Sequence, residues 1–161
     1  MEKETSCINS KVILDYIKEH NHSDCSDLLK NLDPEIDALP DPESFLRDPH
    51  NWISCTVISK LYKRAKLILD DDLAPFRIGQ FAVEKTDLGV RSLILKIFGS
   101  HIRVLKNAQR INVRWNRSKE VEVVQIKRND AILRLHWNPR MDVSKDICLN
   151  NQGFCTFAPT S

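Results

Sequence analysis

Histidines and cysteines are the residues of this chain that could bind a transition metal or haem iron. The segment HNHSDC, residues 20–25, spaces two imidazoles and a thiol as His-x-His-x-x-Cys, which suits a soft or borderline metal. Cys148 and Cys155 could supply two ligands to a zinc site, and His101 could ligate haem iron. Because none of these sets is complete, the sequence favours ordinary structural roles for them: a polar turn, free thiols and a hydrogen-bonded histidine.

Three consecutive acids, Asp70, Asp71 and Asp72, offer the oxygen ligands that Mg²⁺ and Ca²⁺ prefer. Three adjacent residues rarely direct their carboxylates at one ion, and no calcium-binding loop surrounds them. Carboxylates are favourable at the N-terminus of a helix, and Pro75 is tolerated in a first helical turn. We therefore expect the acids to form a solvated turn that ends one helix and begins the next.

Catalytic motifs are absent from the sequence. The four glycines are too far apart for GxGxxG or GxxxxGK[ST], and neither HExxH nor GxSxG occurs. The five cysteines form no CxxC pair, which indicates free thiols in a reducing compartment. No apolar run reaches the roughly 20 residues that span a membrane, and there is no signal-peptide pattern. We expect a cytoplasmic protein that is not an enzyme.

The elements that must position these residues begin with a helix over Val57–Leu69. Its apolar residues recur at helical spacing, its basic residues fall on the other face, and Ser54 or Thr56 can cap its start. A second helix is expected over Leu73–Glu84. Further helices are expected over residues 9–19, 26–32, 90–98 and 100–108.

A change of hydrophobic period predicts a small antiparallel meander over Gln109–Trp137. Its strands are residues 109–116, Glu120–Lys127 and Ala131–Trp137. Residues 33–49 hold four prolines and predict a loop that wraps the surface, and the tail predicts a short irregular or helical segment punctuated by Gly153. Residues 1–161 then form one α+β domain, with a helical first two-thirds packed on the meander.

Charge is distributed unevenly along the chain. Residues 1–87 carry 11 basic and 17 acidic side chains, whereas residues 88–119 carry eight basic side chains and no acid. Such a segment could bind nucleic acid. An electrostatic match within the fold or against another subunit is the favoured interpretation, because the basic residues fall on several elements without a recognised binding motif.

Parts of the chain resemble a known group of ligand-sensing domains. The resemblance rests on DPHNWIS (residues 48–54), LYKRAKLILDDDLAPFRIGQFAV (61–83), the strand region, and CLNNQGF (148–154). These stretches resemble the sensory domains of bacterial signalling proteins of the vinyl-4-reductase type and the haem–nitric-oxide-binding-like type. The resemblance implies a helical front on a small antiparallel sheet, enclosing a pocket ahead of a histidine kinase, cyclase or transcriptional output domain.

The chain departs from that group in two respects. Vinyl-4-reductase-type domains close with a segment of the form Cys…Gly…Cys-x-Phe, which Cys148, Gly153, Cys155 and Phe157 match only with compressed spacing. No output domain is present. The resemblance therefore implies no definite haem or zinc ligand, although either cofactor remains possible within the group.

The sequence thus predicts a regulatory small-molecule-sensing domain, cut from a longer signalling protein and possibly forming a homodimer. An apolar ligand would bind between the Val57–Leu69 and Leu73–Glu84 helices and the sheet. The predicted ligand-binding residues are Trp52, Tyr62, Phe76, Phe81, Phe98 and Trp115. The alternative is a nucleic-acid-binding or protein-interaction module that uses the basic segment Arg91–Lys119.

Overall fold

The computed structural model of the chain describes residues 3–21, 26–84, 106–127, 131–141 and 143–157. Within these ranges the elements are β1 (Thr5–Ser6), α1 (Ile8–Asn21), α2 (Ser26–Leu29), α3 (Pro34–Asp37), α4 (Pro42–Arg47), β2 (Trp52–Ile53), α5 (Cys55–Leu69), α6 (Ala74–Glu84), α7 (Ala108–Asn112), β3 (Lys119–Ile126), β4 (Ala131–Trp137) and α8 (Lys145–Phe157). The α+β class is confirmed. The helix expected over residues 90–98, and most of the one expected over 100–108, lie outside the described ranges. Among the described helices, none is long and apolar enough to cross a membrane.

The hydrophobic core forms where α5 packs against α1 and α6. The buried stripe of α5 consists of Val57, Ile58, Leu61, Tyr62 and Ala65. Burial of each large side chain in this stripe contributes roughly 1.5–3 kcal/mol. The predicted helix is confirmed, and it begins at Cys55 because the Ser54 hydroxyl accepts a hydrogen bond from the Val57 N–H.

The three consecutive acids form the turn between α5 and α6, as expected. Asp70 adopts the left-handed conformation with φ 48° and ends α5. The Asp71 carboxylate accepts a hydrogen bond from the Leu73 N–H and lies 3.0 Å from Arg77 Nε. Asp72 pairs with Lys66 at 3.4 Å. The carboxylates are thus used in capping and surface ion pairs, and the α6 helix begins at Ala74.

The proline-rich stretch 33–49 was expected to be a loop, and this expectation is wrong. It contains α3 and α4, each of which begins at a proline that follows an aspartate. The Asp33 carboxylate accepts from the Glu35 N–H and the Asp41 carboxylate accepts from the Ser44 N–H, both at 2.9 Å. An Asp-Pro pair is a helix start, since the aspartate caps orphan N–H groups and proline has none to lose.

The strand expected over residues 109–116 is also wrong, because α7 and a helical turn occupy this stretch. The meander is reduced to the antiparallel hairpin of β3 and β4. Two side chains of α7 cover the edge of β3 instead: Gln109 accepts from the Val121 N–H and Asn112 donates to the Lys119 carbonyl. These amides satisfy the backbone groups that a third strand would have paired.

The last helix, α8, extends the short helical segment expected in the tail to 13 residues, with the Ser144 hydroxyl accepting from the Asp146 N–H at its start. Gly153 does not punctuate the chain; it is buried in the middle of α8 and faces α6. A Cβ atom there would overlap the Phe76 carbonyl group. Likewise, a Cβ atom on Gly79 of α6 would overlap the Asn150 carbonyl oxygen and lie 2.8 Å from the Phe154 amide nitrogen. The two backbones therefore touch at a crossing that only glycine permits.

Substitution of Gly153 by alanine is expected to destabilise the protein by about 1–3 kcal/mol, because the helix backbones must separate. The sign is informative, since the same change in an unobstructed helix stabilises by roughly 0.5–1 kcal/mol. Urea denaturation followed by circular dichroism measures the change. Cys148→Ala, at an exposed position of the same helix, is the control and is expected to stay within about 0.5 kcal/mol. Equal stability of Gly153→Ala and the wild type would contradict the close crossing.

Candidate functional site

A cavity of about 160 Å³ lies between α7, the inner face of the β3–β4 hairpin and α8. Its walls are mostly apolar, and a ring of asparagines and one lysine occupies the side nearest the main core. The lining residues are Asn9, Ala108, Ile111, Asn112, Trp115, Asn116, Lys119, Val121, Leu133, Leu135, Asn150, Asn151, Phe154 and Cys155.

The hairpin supplies the apolar wall through strand alternation. Lys119, Val121 and Val123 point to one face of β3, opposite Trp137, Leu135 and Leu133 of β4. The other face is polar, and there Glu122 lies 3.1 Å from Arg134 and 2.7 Å from His136. The hairpin therefore presents a continuous apolar surface to α7 and α8, with Lys119 at its end.

Lys119 is the unusual residue of the site, since it is only 9% exposed. Its Nζ donates a hydrogen bond to Asn151 Oδ1 at 2.7 Å and lies 5.0 Å from the centre of the Trp137 ring. No carboxylate within the described ranges lies at ion-pair distance from it. Burial lowers the pKa of Lys119 to about 8, because an ammonium loses its hydration there.

Asparagine side chains fix the elements around Lys119. Asn150 donates to the Pro75 carbonyl of α6 at 3.2 Å, and Asn151 donates to Ile147 within α8 at 2.7 Å. Asn116 accepts from the Thr5 hydroxyl at 3.1 Å, which ties β1 to the turn before β3. Each amide is thus held by the scaffold, and the polar rim of the cavity is rigid.

On its other side, Lys119 borders a polar cavity of about 40 Å³. Thr5, Asn9, Ser118 and the ring of Tyr62 contribute to its walls. This volume suits one or two water molecules, which need several polar partners. Lys119 therefore separates an apolar compartment from a small polar one.

The structure distributes the six predicted ligand-binding residues over several places. Trp115 lines the 160 Å³ cavity and Tyr62 the 40 Å³ cavity. Trp52 lines a different cavity of about 140 Å³ and has the Arg117 guanidinium 4.1 Å from its ring centre. Phe81 packs edge-on against Tyr16 in the core, the Phe76 carbonyl meets Gly153 at the α6–α8 crossing, and Phe98 lies outside the described ranges.

Sequence reasoning missed Lys119, which it placed in a turn and counted with the exposed basic segment. The signal was the alternation of Lys119 with Val121 and Val123, which puts the lysine on the apolar face once the strand begins one residue earlier. The remaining described cations of that segment, Lys106, Arg110, Arg114 and Arg117, are exposed.

The predicted metal ligands are only partly visible. His20 stacks on Tyr16 with ring centres 3.9 Å apart, and its Nδ1 lies 2.9 Å from the Tyr16 carbonyl oxygen, while residues 22–25 and His101 fall outside the described ranges. Cys148 is exposed and Cys155 is half-buried. Across the described ranges no three His, Cys, Asp or Glu side chains gather at one point. Zinc and haem binding stay predictions.

Comparisons with models of known protein families, with curated protein sequences and with solved structures gave no match to this chain. The resemblance to bacterial ligand-sensing domains therefore stays a prediction.

Replacing Lys119 by methionine is expected to stabilise the protein at pH 7 by about 1–3 kcal/mol, since the buried charge is removed at similar volume. In the unfolded chain Lys119 stays protonated up to its ordinary pKa of 10.5, whereas in the folded chain it loses its proton near 8. Wild-type stability therefore gains from this residue as pH rises through that window, and the advantage of Lys119→Met shrinks. Urea denaturation at pH 7 and pH 9.5 measures both effects. Lys63→Met, at an exposed lysine of α5, is the control, and an equal effect of both substitutions would contradict the burial of the Lys119 charge.

Proposed function

We propose that this chain is a regulatory domain that binds a small, largely apolar molecule in the 160 Å³ cavity between α7, the hairpin and α8. The observation that carries the proposal is this cavity, with apolar walls and a rigid polar rim, at the junction of three elements. Concave apolar sites with a few fixed polar groups are the usual form of ligand sites. The proposed setting is the cytoplasm of a bacterial cell, as part of a signalling protein.

The volume limits the size of the ligand. A cavity of about 150 Å³ in another protein holds a benzene ring, so 160 Å³ suits a molecule with one ring or a short aliphatic chain. Haem is far too large for this cavity.

The proposed mechanism is a shift of population between two packings of α8. Phe154 and Cys155 of α8 line the cavity, and Gly153 between them and Asn150 contacts α6. A ligand that binds one position of α8 more tightly would favour that position. The change would pass to a downstream histidine kinase, cyclase or transcriptional output domain, or to a second copy of the chain.

Toluene is expected to bind the wild-type protein and to shift the methyl NMR signals of Val121, Leu133 and Leu135. Ala108→Phe places a ring into the cavity from α7 and is expected to weaken toluene binding by at least about tenfold. The matched control is Ala131→Phe, the same substitution at an exposed position of the hairpin, which should leave binding unchanged. Absence of shifts in the wild type, or shifts confined to the surroundings of Trp52, would refute the proposed site.

A second candidate function is nucleic-acid binding by the basic segment. The specific observation in its favour is that Lys106, Arg110 and Arg114 recur every fourth residue along a helical stretch, are exposed, and form no ion pair with any described acid. That spacing puts the three charges on one side. Such a stripe supplies counterion-releasing phosphate contacts without base recognition.

If the basic segment binds nucleic acid, affinity for single-stranded DNA should fall steeply between 50 and 200 mM salt, by about tenfold or more for three phosphate contacts. The double substitution Arg110→Glu and Arg114→Glu should remove binding. The control reverses two exposed charges elsewhere, Lys18→Glu and Lys63→Glu, which alters net charge equally. Fluorescence anisotropy measures both, and an equal loss in the two double variants would reduce the effect to net charge alone.

A further inference from the structure

The buried ammonium group of Lys119 lacks a counter-charge. Its Nζ can donate three hydrogen bonds, of which one goes to Asn151 Oδ1, and no other described residue accepts from it. The titratable groups that influence it from the packed elements are three thiols, Cys55 of α5 and Cys148 and Cys155 of α8. Thiols of raised or ordinary pKa stay neutral at pH 7. Buried charges in proteins are normally paired, so the site is short of one negative charge.

The same lysine forms the polar end of the apolar cavity. Trp115, Val121, Leu135 and Phe154 line the remainder of the walls. A ligand complementary to both features carries one negative charge at one end and an apolar body at the other.

We infer that the cavity binds a small organic monocarboxylate, with its carboxylate accepting hydrogen bonds from Lys119 and its apolar body enclosed by the hairpin, α7 and α8. This inference rests on the proposed ligand-binding function and names the class of its ligand. A bound carboxylate supplies the missing charge and occupies the two free donors of the ammonium group.

The charge count favours a carboxylate over a phosphate or sulfate ester. Lys119 is the one cation among the described residues that line the cavity. Asn150 and Asn151 lie in the second turn of α8, so the amide groups at the start of that helix are not directed at the site. A dianionic phosphate would therefore keep one charge uncompensated in an apolar environment, which is costly.

Benzoate and benzamide form the matched pair of probes, since they share shape and differ in charge. Isothermal titration calorimetry at pH 7 is expected to give at least tenfold tighter binding of benzoate than of benzamide to the wild-type chain. Lys119→Met should remove this preference while benzamide still binds. Its fold is secured by the stability expected of this variant. Asn151→Asp supplies an internal carboxylate to Lys119 and should abolish benzoate binding alone.

The pH dependence provides an independent readout. Benzoate requires the charged ammonium, so its affinity should fall as pH rises above about 8 and binding there should take up a proton. Benzamide affinity should not change. Calorimetry in two buffers with different heats of ionisation detects the proton.

The outcomes separate this inference from the function on which it rests. Equal affinities of benzoate and benzamide, or undiminished benzoate binding to Lys119→Met, would overturn the carboxylate assignment and leave the ligand-binding function standing. Failure of benzoate, benzamide and toluene to bind would overturn both.

Discussion

The close contact of α6 and α8 is the constraint on which the candidate site depends. Gly79 and Gly153 remove the side chains that would hold the two helices apart, so the backbone of each rests on the other. The Lys66–Asp146 ion pair at 3.4 Å adds a link from α8 to α5. With its position fixed against the helical core, α8 brings Asn151 beneath the hairpin. The cavity exists because α8 is held from one side while the hairpin covers the other.

The second constraint is the cost of burying Lys119. A well-packed domain would place an apolar residue at the first position of β3, because neither the hydrogen bond to Asn151 nor the nearby Trp137 ring replaces the lost hydration. Uncompensated buried charges and shifted pKa values concentrate at functional sites. The site also contains no opposing carboxylate within the described ranges, which distinguishes it from a structural ion pair such as Lys66 with Asp146. Stability is sacrificed where a ligand can restore it.

Periodicity and capping residues predicted the helical core correctly, because these signals are local. The α5 stripe and the Ser54 cap both depend on residues within a few positions of one another. The alternation of Ile111, Val113 and Trp115 misled, since a short helical turn can place Ile111 and Trp115 on one side four residues apart. Gly153 and Lys119 depend on neighbours distant in sequence, Phe76 and Asn151, which no local pattern reveals. The cavity was unpredictable for the same reason, as its walls come from five separate stretches of chain.

The position of Lys119 suggests how occupancy reaches the rest of the fold. Its hydrogen bond to Asn151 joins the hairpin to α8, and the neighbouring Asn150 donates to Pro75 at the start of α6. A carboxylate on Lys119 competes for the ammonium that Asn151 holds, so binding alters the one polar link across the cavity. Coupling energies of about 1–3 kcal/mol are typical of allosteric proteins, and a single hydrogen bond to a charged group contributes about that much. Because the α6–α8 crossing tolerates no small adjustment, a change at Asn151 is transmitted along α8 as a displacement of the helix rather than absorbed within it.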